Sequence, residues 1–223
     1  MLSYKYTITK IDTPFEFLNG SKVDTTILVT FVDDDGDEIK SKRYGFVTPE
    51  SVYELIDNNQ SINLDEAYIK NFSLHDYRHS RRMDDRAYVN FNTFSAQNAF
   101  FDCENRVDFA FAKFTKSFNL KHTVFAKGYI NFYKSVFLKE VDFSEVNFGK
   151  GEADFHFSEF GNYDTNFKNA IFPSGNISFV NCDFGNGTID FSSVNFGEGN
   201  ADFHFSKFGK GLVNFDKSIF GGG

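Results

Sequence analysis

Few side chains in this sequence have the types and spacing that chemistry requires. Residues 33–38 read DDDGDE, the oxygen-rich composition of a calcium loop. Gly36 sits at the wrong place for such a loop and no Glu follows at the required spacing, so a solvated hairpin tip is expected. His156 and His204 occupy equivalent positions in two similar segments. The repeat described below sets them about 10 Å apart, too far to share a metal. Cys103 and Cys182 are too few for a disulfide framework, and Cys182 reads as a small core residue. Arg78, Arg81, Arg82 and Arg86, with His79, crowd into residues 77–86, which form either a solvated excursion or a contact loop. There is no nucleophile elbow and no phosphate loop. The sequence therefore predicts no catalytic residue, no cofactor and no metal site, and the chain reads as not an enzyme.

What positions these residues is a repeat. From Phe109 onward the pairs 109/114, 120/125, 132/137, 143/148, 155/160, 167/172, 179/184, 191/196, 203/208 and 215/220 are Phe in nineteen of twenty places, Leu120 being the exception. A small or β-branched residue stands two before each, with Phe118 alone breaking the size rule. Residues two apart on an extended strand face the same side, so both point inward and the residue between points out. In the first pentad of each pair that outward residue is Asp or Asn nine times in ten, Ser178 being the exception. A period this regular predicts stacked repeats, each burying its aromatic against the next.

The segments ADFHF at 153–157 and 201–205, VDFSE at 141–145, TNFKN at 165–169 and IDFSS at 189–193 resemble the pentapeptide-repeat family, whose signature is A-[DN]-[LF]-x-x. The resemblance covers about residues 62–223. It implies a mainly β fold: a right-handed parallel β-helix, a four-sided solenoid with one pentad per face. The chain departs from the family regularly. Every second pentad is followed by one or two extra residues, often glycine-rich (FGKGE, FGNYD, FPSGN, FGNGT, FGEGN, FGKGL), where positive-φ glycines and two bulged corners per coil are expected.

Coil length follows from charge. Coils of 12 residues would stack Asp142 on Asp154 and Asp190 on Asp202, which is unfavourable. Coils of 24 give the columns Asp142–Asn166–Asp190–Asn214 and Asp154–Ser178–Asp202, in which each acid has an uncharged neighbour. The closest internal match, VDFSEVNFGKGEADFHFSEF against IDFSSVNFGEGNADFHFSKF, is offset by 48 residues, two such coils. About 24 residues per coil predicts six or seven coils from Ile62. Interruptions are expected at 77–86 and 97–106.

Ahead of the solenoid, residues 1–60 read as a small α+β cap. Residues 4–11 and 23–32 alternate, 23–47 suggests a β-hairpin, and Thr48 with Pro49 opens a short helix. Residues 1–60 and 62–223 are the expected units. The N-terminus shows no apolar run, which points to a cytoplasmic protein without a membrane partner. Net charge is −8, so direct nucleic-acid binding is not expected. The charge is uneven: −5 over residues 1–90, +3 over 91–140 and −6 over 141–223.

Unrolling the coils places Phe111, Tyr133, His156, Phe157, Val180, His204 and Phe205 together, opposite a polar side. This is either a contact face or a set of rings folded over the backbone. The function expected is a non-catalytic protein-interaction or structural scaffold. The resemblance also supplies an alternative, an acidic DNA mimic that binds a DNA-handling enzyme such as a type II topoisomerase. Its gyrase-protecting members use a loop projecting from the rod, which gives the 77–86 segment its interest. The sequence runs to SIFGGG without a capping element, and the family resemblance favours self-association through that end. A protein partner over the end and a longer natural chain are the other possibilities.

Overall fold

In the computed structural model of the chain, which describes residues 5–172 and 175–221, four ladders of short parallel strands wind into a β-solenoid. It has about seven turns of about 24 residues. One ladder pairs Ile130 with Ala153, Ala153 with Ile177 and Ile177 with Ala201. The facing ladder pairs Val141 with Thr165, Thr165 with Ile189 and Ile189 with Val213. A coil that closes after 12 residues is thereby excluded.

Each pentad contributes a few extended residues and then turns. Asp142, Asp154, Asp190 and Asp202 each accept, through Oδ1, the backbone N–H two residues on at 2.8 Å. Asn119, Asn166 and Asn214 do the same at 2.9 Å. The outward Asp/Asn column therefore fastens corners, a local side-chain turn that Asp and Asn form best. The alternation of acid and amide survives in space, since Asn214 donates from Nδ2 to Asp190 Oδ1 at 3.1 Å in the coil below.

The interior is four stacks of phenyl rings. Phe109, Phe132, Phe155, Phe179 and Phe203 stack with centroids 4.9 Å apart at every step. That equals the spacing between hydrogen-bonded strands, so the backbone ladder and ring offset-stacking satisfy one geometry. Neighbouring stacks meet edge to face, as Phe155 with Phe143 at 5.6 Å and 90°. The two exceptions in the sequence explain each other. Leu120 leaves room in its own slot, and Phe118 of the same pentad fills it, lying 5.3 Å from Phe143 and 5.4 Å from Phe94.

The bulged corners correct one expectation. Gly149, Gly161, Gly185 and Gly197 do adopt positive φ. Gly151 does not; it is needed because a Cβ there would fall 1.6 Å from the carbonyl oxygen of Gly128 one coil below. The corner glycines thus answer two demands, left-handed backbone and close stacking. Residues 173–174 of the FPSGN corner lie outside the described residues. The 97–106 segment is also more regular than expected. Phe100–Asp102 pairs in parallel with strands on both sides, because Ala99 and Phe101 fill the small and aromatic slots.

The cap shares a sheet with the solenoid. Strand β1 (Lys5–Ile11) pairs antiparallel with β4 (Thr26–Val32), and β4 with β5 (Glu38–Val47). A two-strand ribbon, β2 (Phe15–Glu16) with β3 (Lys22–Val23), lies between β1 and β4 in sequence. The strand β6 (Ile62–Asn63) starts one solenoid ladder, and β7 (Ala67–Lys70) starts another by pairing in parallel with β5. Helix α1 (Pro49–Asp57) has Thr48 as its N-cap and buries Val52, Tyr53 and Ile56 against the first coils. Asp33 Oδ1 accepts the amides of Asp35 and Asp37 at 3.0 and 2.9 Å, which closes the acidic hairpin tip on itself. At the far end Phe203 and Phe215 are only partly buried, and Phe208, Leu212, Ile219 and Phe220 are exposed. No helix among the described residues is long and apolar enough to cross a membrane.

Candidate interaction site

Each coil has a tight corner between two of its faces where one residue takes left-handed φ. Along one edge these residues are Phe111, Lys134, Phe157, Asn181 and Phe205, with φ from 54° to 59°. Along the opposite edge they are His122, Glu145, Asn169, Ser193 and Lys217. The residues just before the first set are Ala110, Tyr133, His156, Val180 and His204. The seven residues expected to share a face are therefore brought together, but on a corner column and not on a flat strand face. The reason is that the Asp/Asn fastening turns the chain directly after each aromatic slot.

The rings from Tyr88 to Phe157 form one run, and His204 and Phe205 form a separate pair two coils on. Tyr88 meets Phe111 at 5.7 Å, Phe111 meets Tyr133 at 5.5 Å and Tyr133 meets Phe157 at 5.9 Å, all edge to face. His156 stacks on Phe157 at 4.8 Å, and His204 lies tilted at 45° against Phe205 at 4.2 Å. Lys134 Nζ lies 5.5–6.0 Å from the centroids of Phe111, Tyr133 and Phe157, within cation–π range. Phe111 and Tyr133 are half-buried, whereas Phe157 is 44 % and Phe205 73 % exposed. The rings thus shield the backbone only near the start of the edge.

Left-handed φ costs a non-glycine residue roughly 1–2 kcal/mol, and a bulky side chain there is an outlier. Asn tolerates it best after Gly, as Asn181 and Asn169 show. Three phenylalanines on one edge, and none on the other, run against that preference. Tyr88 and Lys134 belong to this edge and were missed in the sequence. Lys134 was legible, since it aligns with Phe111 and Phe157 at one-coil steps. Tyr88 precedes the strict repeat.

The arginine segment corrects the other candidate site. Residues Leu74–Ser80 form helix α2, capped by Ser73, which docks on the solenoid instead of projecting from it. Arg78 is 2 % exposed and unavailable to a partner. Its Nη1 donates to the Ala110 carbonyl at 2.9 Å and its Nη2 lies 3.4 Å from Asp108 Oδ2. Asp108 is held further by the Asn131 amide at 2.7 Å and the His75 N–H at 2.9 Å. The polar composition of the segment, which points to a loop, hides a short helix that buries Leu74, Tyr77 and Arg78. Arg81 is engaged by Asp57 at 2.5 Å and lies over Tyr77, and the Arg81 hydrogen bonds hold the Asp57 carboxyl below its ordinary pKa. Arg82 and Arg86 remain exposed.

A polar cleft of about 530 Å³ beside α2 is lined by Asn71, Ser73, Asp76, Cys103, Asn105, Arg106 and Tyr129. Cys103 Sγ is occupied there by the backbone of Arg106, at 2.6 Å from its oxygen and 3.2 Å from its nitrogen. Among the described residues no group of three or more His, Cys, Asp or Glu side chains comes together.

Cys182 sits in a column with Ser135, Ser158 and Ser206. Its Sγ donates to the Phe155 carbonyl at 2.9 Å, as Ser158 donates to Phe132 at 2.7 Å. Burial pushes the Cys182 thiol up to about 12. It should resist thiol reagents in the native protein at neutral pH. Cys182→Ser should move Tm by less than about 4 °C, because the same slot already accepts serine in the coils above and below. A calorimetric scan and a thiol titration check both.

Fold and edge together define a β-solenoid repeat protein with one aromatic and one polar corner. No protein-family model matches the chain, and neither a curated protein nor a solved structure matches it.

Proposed function

We propose that this chain is a pentapeptide-repeat protein that acts as a non-catalytic interaction scaffold, presenting its aromatic edge to a protein partner or to another copy of itself. The observation that carries the reading is the placement of Phe111, Phe157 and Phe205 at left-handed corners. Asn or Gly would hold those corners at lower cost, yet the rings at 157 and 205 stay 44 % and 73 % exposed. Exposed aromatic residues with a cation among them are the composition of interaction hot spots. Arg82 and Arg86 are a secondary contact element in this reading.

The alternative, a DNA mimic, draws on the −6 charge of residues 141–223. Against it, Asp142, Asp154, Asp190 and Asp202 are tied to their own corners and diluted by Asn166, Ser178 and Asn214. Duplex DNA presents about one charge per 1.7 Å, far denser than this column.

Phe157→Asn and Phe205→Asn test the scaffold reading. Asn suits the corner, so thermal stability should hold or rise while capture of partners, or of a second copy, is lost. Unchanged capture by both variants would remove the edge from consideration. A type II topoisomerase supercoiling-protection assay would be positive only for the mimic.

A further inference from the structure

We propose that two copies of this chain pair side by side and antiparallel along the aromatic edge, in the register that sets Phe111 of one copy against Asn181 of the other. This rests on the reading of that edge as a contact surface, and it names the occupant and the alignment. The corner column alternates: Phe111, Lys134, Phe157, Asn181, Phe205, one residue per coil. Bulk recurs every second coil, about 10 Å apart, with a flexible cation or a short amide between. A ridge of this kind is complementary to itself when one copy is reversed and shifted by one coil, and a two-fold axis makes the contact closed and isologous.

Charge selects between the two registers that overlap the whole ridge. Beside the corner column runs a second column, Lys113, Val136, Glu159, Asp183 and Lys207. A two-fold axis perpendicular to antiparallel rods keeps this column on the same side of the contact in both copies. If Phe157 met its own counterpart, ring would face ring, Glu159 would face Glu159 and Lys113 would face Lys207. Shifted by one coil, Phe111 faces Asn181 and Lys134 faces Phe157, a cation against a ring. Lys113 then faces Asp183 twice, once on each side of the axis, and Val136 faces Glu159. On the other flank Asp108 and Asn131 are buried, so they bring no like charge against Ser178 and Asp154. At the end of the ridge Phe205 reaches Tyr88, whose own neighbour is Phe111. The net charge of residues 91–140, +3, thereby lies along the −6 of residues 141–223.

The contact spans four to five coils of a narrow edge, so the area is small and the dissociation constant should be about micromolar or weaker. Analytical ultracentrifugation of the full chain, from low micromolar to several hundred micromolar, should show a reversible dimer. Lys113→Glu and Asp183→Lys should each weaken it about tenfold, because each variant breaks two symmetry-related pairs. The double variant should return near the original affinity. For the register, Phe111→Cys/Asn181→Cys should cross-link between copies in preference to Phe157→Cys. Positions 111 and 181 are about 14 Å apart within one chain, beyond the reach of an internal disulfide. Melting curves check that each variant is folded, since these side chains lie outside the core. A monomer at every concentration, or failure of the charge swap to restore pairing, overturns the proposal. If the protein is monomeric yet captures another protein that Phe157→Asn does not, self-pairing falls and the scaffold reading stands.

Discussion

Phe179→Ala lowers the stability of the protein by about 3–5 kcal/mol, the cost of truncating a fully buried aromatic. Phe179 has no solvent exposure and touches rings on every side. Phe155 and Phe203 stack on its two faces at 4.9 Å, and Phe167 and Phe191 meet it edge-on at 5.5 and 5.6 Å. The cavity cannot collapse easily, because each neighbouring ring is held at the strand spacing by its own coil. Truncation also interrupts a stack, so the loss is shared by coils above and below. A shift of the urea midpoint at constant slope is the expected readout. The same change at Phe220, half-exposed on the last coil, should cost much less. Equal costs at the two sites would mean that burial depth does not set the contribution of a ring.

Arg78→Ala should cost a similar amount, about 3–5 kcal/mol, by a different route. It strips the cation from Asp108, itself 2 % exposed, and leaves the Ala110 carbonyl short of a donor. It also loosens α2 on the coil, where Arg78 is buried beside Leu74 and Tyr77. Arg82→Ala, four residues on and exposed, should change stability by less than about 0.5 kcal/mol. Denaturant melts of the two variants side by side separate the anchor from the solvated arginine. If both were neutral, the buried ion pair would not be what holds α2 in place.

Legibility differed sharply between core and surface. Phe at every inward slot is a one-dimensional signal. A strand has period two and a coil has fixed length, so position along the chain translates directly into position in the stack. Charge repulsion between Asp142 and Asp154 was enough to choose 24-residue coils, and the register agrees. The pairing of Phe118 with Leu120 was visible as two anomalies but not as one compensation, because only contact geometry shows which volume each fills. Arg78 misled for the same reason: its partners, Asp108 and Ala110, are 30 and 32 residues away.

By itself the sequence determined the repeat, its period, its inward and outward residues and the hairpin-plus-helix start. All of these follow from local periodicity and steric rules that act within a few residues. Only the tertiary structure decided that the aromatic residues occupy a left-handed corner, that Gly151 serves close stacking, and that one arginine of four is buried. Those outcomes depend on where coils touch one another, and the distance between coils is a property of the assembled ladder that no single segment encodes.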